Sequence, residues 1–226
     1  MIQRDYILRM IEEFAHVLSR IKSLERGQLW REAAGVVDEE FQRLTGAGAA
    51  AMAQLTETEL LARLIQGEPT HVVHQKALML TTLLKEAGEL AAAQGRPDEA
   101  RASYLKGLGL LLDTLARHEP FECPDFVPRV EVFVTALGDK PLPLEMQARL
   151  MQHYELTGEF SKAEDCLFAM LEAEPGNAAL ADFGRVFYER LRGKSDASLA
   201  AGNLPRPELE AGLAELRGLG AEGGRT

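Results

Sequence analysis

Apolar residues recur at steps of three and four from the start of the chain. Ile7, Met10, Ile11, Phe14, Val17, Leu18, Ile21 and Leu24 fall on one stripe of a long first helix. Gly27 is expected to end it, and a second helix is predicted from about Trp30 to Leu44 with Ala33, Val37, Phe41 and Leu44 turned inward. The small residues Gly46 to Ala51 carry no period and predict a break. Thr56 with Glu59 three residues on has the spacing of a capping box, so a short helix through Leu60, Leu61 and Leu64 is expected, closed off by Pro69.

The next predicted helix opens near Thr70 and turns Val73, Ala77, Leu80, Leu84, Ala87 and Ala91 inward until Gly95. Pro97 followed by Asp98 and Glu99 suits the first turn of another, extending to about His118, because proline there forfeits no helical hydrogen bond and the acids oppose the helix dipole. Pro120, Pro124 and Pro128 force an irregular connector before a shorter helix from about Arg129 to Leu137. Asn177 is placed to cap a helix carrying Phe183, Val186, Phe187 and Leu191, the first of the C-terminal helices expected. Gly218 to Thr226 reads as a flexible tail. Aromatics are only 6% while Leu, Ala and Glu dominate, a composition that suits helix packing rather than strands, so the class is all-α.

One stretch has a finer pattern. Between Leu144 and Asn177 the chain places Leu150, Tyr154, Gly158, Ala163, Leu167, Met170 and Pro175 in order. Gly permits a tight turn between two helices, a small Ala lets them approach, and Pro stops the second. This segment resembles the tetratricopeptide repeat, whose unit is 34 residues long. It departs from that pattern at Met170, where a small residue is usual, and at Gln147, near the usual tryptophan. Gly88, Gly95, Ala100, Tyr104 and Gly107 resemble the same register, ending on Leu112 instead of proline. The first hairpin is a weaker third copy, with Gly27 and Ala33 six residues apart. The resemblance implies hairpins at about 2–44, 70–118 and 143–175, stacked as a short α-solenoid with extra interspersed helices, in a single domain over 1–217. Ile2 to Ile7, Phe187 to Leu191, Ser195-Asp196, Leu204-Pro205 and Glu208 to Leu216 are also similar to the start and tail of an uncharacterised bacterial repeat family.

Charge narrows the partners. Thirty-five acidic against 25 basic residues give a net charge of -10, which opposes phosphate binding and anionic membrane surfaces, since both require clustered Lys and Arg. Met1 to Met10 alternates charged and apolar residues, unlike a signal peptide, and runs such as Leu108 to Leu112 are too short to span a bilayer. Cys123 and Cys166 lack any paired spacing. A cytoplasmic protein with no cofactor is expected.

Glu13 with His16, and Glu68 with His71 followed by His74, spell Glu-x-x-His, which can hold a di-iron centre on bundle helices. With 35 acidic residues among 226, five histidines yield about one such spacing by chance. His16 and His71 also fall away from their helices' apolar stripes, so both are read as solvated and no metal site is assigned. Gly218 to Gly223 matches the dinucleotide-binding glycines by letter, without the preceding strand or following helix that chemistry needs. Cys166 is expected in the core, Cys123 in the connector, and Trp30 packed at a helix start.

No nucleophile, base or metal cluster has catalytic spacing, so a non-enzymatic protein is expected. The repeat resemblance implies a scaffold that binds another protein or a peptide along the first helices of its hairpins. Its groove-facing positions map to Lys85, Glu86 and Glu89 in one unit and Glu145, Arg149 and Gln152 in the other. The alternative is a homodimer formed through the extra helices.

Overall fold

A computed structural model describes residues 2–65, 69–116 and 123–222. Every element in them is helical, and the chain gathers into two compact units, Met1–Lys140 and Pro141–Thr226.

The first unit contains α1 (Ile2–Arg26), α2 (Trp30–Thr45), α3 (Ala49–Gln54), α4 (Glu57–Ile65), α5 (Thr70–Ala93), α6 (Pro97–Leu115) and α7 (Val130–Leu137). The stripe of α1 buries Met10, Phe14 and Ile21 completely or nearly so. Its turn into α2 is made by Gln28, which takes the left-handed φ of 57°, and not by the neighbouring Gly27. The capping box forms as its spacing predicts: Glu59 N–H donates to Thr56 Oγ1 at 3.2 Å, and Thr56 N–H donates to Glu59 Oε2 at 2.7 Å. The break expected from Gly46 is real, with Gly46 at φ 75°, but it is short. Ala49 begins α3, and its N–H, which the helix cannot satisfy internally, donates to Asp38 Oδ1 at 2.7 Å.

Helix α5 is the axis of this unit. An amphipathic stripe predicts one buried face, yet Leu78, Met79, Leu80, Leu83 and Leu84 are all buried, because α1, α2, α4 and α6 pack around it. Its pairing with α6 depends on missing side chains. A Cβ on Gly88 would lie 2.4 Å from the Tyr104 ring of α6, and one on Gly107 would lie 3.3 Å from Leu84 of α5 and 2.6 Å from the Phe133 ring of α7. Those distances lie inside van der Waals contact, so only glycine fits without displacement. Helix α6 ends at Leu115, and His118 and Pro120 lie outside the described residues.

The second unit contains α8 (Leu144–Thr157), α9 (Phe160–Ala173), α10 (Ala178–Arg192), α11 (Asp196–Ala201) and α12 (Arg206–Glu222). Gly158 makes the α8–α9 turn at φ 82°, and Ala163 and Leu167 sit fully buried at the crossing. The Asn177 side chain accepts from the N–H groups of Ala179 and Leu180, as an N-cap should. Two expectations fail here. Phe183 and Val186 are 38% and 48% exposed instead of joining Phe187 and Leu191 in the core. Helix α12 runs on to Glu222, through a stretch read as tail, and 223–226 lie outside the described residues.

Candidate functional site

The three groove residues expected on α5 are occupied within the fold. Glu86 is buried rather than presented to a partner, and Lys85 is largely covered. Lys22, from the last turns of α1, reaches across to them. Its Nζ lies 2.9 Å from Glu25, 2.7 Å from Glu86 and 2.7 Å from Glu89. Lys85 adds contacts of 3.0 Å to Glu86 and 2.8 Å to Glu89. Burial alone would lower the Lys22 pKa, but its hydrogen bonds to the three carboxylates outweigh that and hold it above the ordinary lysine value. Burial works to raise the Glu89 pKa, and the bonds from Lys22 and Lys85 bring it below the usual carboxylate range. Nearby, Tyr104 is pushed up to about 12 by burial, then by the charges of Glu89 and Glu86.

Among the described residues, Glu25, Glu86 and Glu89 are the carboxylates whose oxygens converge closely enough to hold a metal ion. The Lys22 ammonium already lies within ion-pair distance of all three, so this cluster acts as an internal counterion lock between α1 and α5. Sequence reasoning found Lys85, Glu86 and Glu89 but missed Lys22 and Glu25, because a contact across 67 residues leaves no local signal.

The α8 set differs. Glu145, Arg149 and Gln152 occupy one face of the helix, opposite the buried Leu150 and Tyr154. Glu145 is 78% exposed and pairs with Arg149 at 2.6 Å along the helix. One turn beyond Gln152 on the same face stands Leu156, 62% exposed, which the polar pattern did not single out. Beside it, Glu155 accepts both donors of Arg190 on α10, at 2.7 and 2.6 Å. Val186 lies one turn before Arg190, and Phe183 nearly another turn before that.

The remaining candidates are dispersed. Glu13, His16 and His71 are exposed, as their solvated reading expects, whereas His74 is buried in α5 and Glu68 lies outside the described residues. Cys166 is buried as expected, and burial pushes its thiol up to about 12, far from a reactive thiolate. Cys123 is exposed in the connector, with burial of its thiol raising its pKa as well. Trp30 is half-buried at the start of α2, where its carbonyl accepts weakly from Gln94 Nε2 at 3.4 Å. No helix among the described residues is long and apolar enough to cross a membrane.

The class established by these features is an all-helical protein of packed hairpins. The chain belongs to the family of unknown function DUF6483, which matches residues 1–219. No curated protein and no solved structure matches it.

Proposed function

We propose that this chain is a non-enzymatic, cytoplasmic, tetratricopeptide-like scaffold of bacterial origin that binds another protein or a peptide through the exposed face of α8. The observation that carries the reading is that face itself: Glu145, Arg149, Gln152 and the 62%-exposed Leu156 in line on the first helix of the hairpin with the fullest repeat register. A ladder of polar residues ending in an exposed leucine offers a partner helix or strand both an apolar anchor and directional hydrogen bonds. The glycine turn at 158 and the fully buried Ala163 support the repeat comparison. The α5 residues take no part in binding in this proposal, since Lys22 and Lys85 already neutralise Glu86 and Glu89.

The test is affinity capture with the full chain as bait, followed by binding measurements on the recovered partner. Arg149→Ala and Leu156→Ala should each weaken it at least several-fold while leaving helicity unchanged. Undiminished binding by both variants would refute the α8 assignment. A second reading, self-association, is favoured by the exposed Phe183 and Val186 on α10. A solution mass of twice 24.8 kDa that reverts on Val186→Glu would establish it instead.

A further inference from the structure

The first unit contains a slot that its own side chains leave unfilled. It lies between α2 and α6, with α5 as its floor and α3 across one end, and holds about 540 Å3. Its deepest lining is buried and apolar: Phe41 of α2, Met52 of α3, and Leu84 and Leu90 of α5 are each no more than 4% exposed. Around it stand residues with little or no side chain: Ala34 and Gly35 on α2, Ala102 on α6, and Ala87 on the α5 floor. The repeat register predicts tight packing of successive hairpins, but short walls on α2 and α6 hold the gap open at this junction. Filled by nothing, such a cleft forfeits the dispersion contacts that its lining atoms would otherwise make.

Size and charge narrow the occupant. A helix is about 10–12 Å across and rises about 1.5 Å per residue. The 540 Å3 volume therefore admits roughly three to five of its residues, too few for a docked helix. It lies within the range of small-ligand sites, about 300–1,000 Å3. The rim carries Asp38 and Glu99 against Arg96 and Lys106, two charges of each sign. Each is engaged within the fold: Asp38 accepts from Ala49 N–H, Arg96 pairs with Glu99, and Lys106 donates to the Met52 carbonyl at 2.9 Å. A balanced, self-satisfied rim selects no head-group charge, so recognition falls on the apolar body of the ligand. Aliphatic groups make up most of the lining, with Phe41 its one aromatic ring, so the surface matches an aliphatic chain better than a stacked ring system.

We infer that this slot is a binding site for a single unbranched aliphatic chain, as carried by a fatty acid or another single-chain lipid, with its head group left at the rim. The site is separate from the α8 face, so it stands or falls independently of the proposed function.

The test is calorimetric titration of the full chain with octanoate, decanoate and dodecanoate, and with dodecyltrimethylammonium as the oppositely charged head. Trp30, the one tryptophan of the chain and one turn from Ala34, supplies a fluorescence signal at the slot. Saturable one-to-one binding should tighten about fourfold per added methylene until the slot is full. The two twelve-carbon ligands should agree within a few-fold. Ala87→Leu and the rim variant Ala102→Phe should abolish binding without lowering the melting temperature, because each grows into empty space. Should Ala87→Leu prove unstable, Ala102→Phe at the exposed rim decides the matter. Ala179→Phe, in the second unit, should leave affinity unchanged. Absence of saturable binding, affinity independent of chain length, binding only to lipid vesicles, or equal affinity in the filled variants would overturn the inference.

Discussion

Gly88→Ala and Gly35→Ala make the same chemical change in two helix interiors, and the fold requires opposite outcomes. Replacing glycine by alanine inside a helix stabilises by about 0.5–1 kcal/mol, because the unfolded chain loses backbone freedom. At Gly35 the added methyl meets nothing within 4 Å, so that gain should appear in full. At Gly88 it would lie 2.4, 2.7 and 2.8 Å from three atoms of the Tyr104 ring, which is itself only 7% exposed. A buried ring cannot swing aside cheaply, and overpacking of this kind costs about 1–3 kcal/mol. The propensity gain is common to both variants, so the difference between them isolates the packing cost at the α5–α6 crossing. Urea unfolding followed by circular dichroism should place Gly88→Ala about 1–3 kcal/mol below Gly35→Ala, with equal slopes against denaturant. Equal stability, or Gly88→Ala the more stable, would refute the close approach of α5 and α6 and the repeat register argued from it.

Two further outcomes follow from the second unit. Ala163→Leu should destabilise by about 1–3 kcal/mol in the same assay, since Ala163 is fully buried where α8 and α9 cross. Glu164 is held above its ordinary value of 4.5 chiefly by burial, with Asp165, Glu208 and Glu215 adding to the rise and the hydrogen bond from the buried Tyr188 hydroxyl opposing it. A carboxyl with a raised folded pKa contributes stability that is present in acid and lost as pH rises through the folded value. Glu164→Gln should therefore gain stability relative to the native chain as pH rises above the ordinary carboxyl value of 4.5, and the advantage should shrink as pH falls below it. An advantage independent of pH would show that the Glu164 charge is not the cause.

Local chemistry made much of this fold legible. The Thr56–Glu59 box, the glycine turn at 158 and the Asn177 cap each depend on residues within a few positions of one another, and each is realised in the structure. Helix α3 was missed because Ala49, Ala50 and Ala51 give no contrast between faces, and its start depends on Asp38, eleven residues back. The same limit hid the site. Glu86 reads as a groove-facing polar residue, and Lys22, arriving from α1 beside Lys85, balances its buried charge. Phe183 and Val186 show the converse: apolar identity suggested core, but Gly184, Tyr188 and Leu191 already supply the packed face of α10. On α8 the polar residues came from the resemblance to the repeat, which says nothing of Leu156, since an exposed leucine resembles a buried one in sequence.

The central proposal is that α8 is the recognition element, and hydrogen–deuterium exchange of the full chain with and without its captured partner tests it most directly. Binding should slow exchange of the α8 amides, with the largest change around Arg149 to Leu156, and leave the α1–α5 ion cluster unaltered. Protection confined to α10, or to helices of the first unit with α8 unchanged, would contradict it.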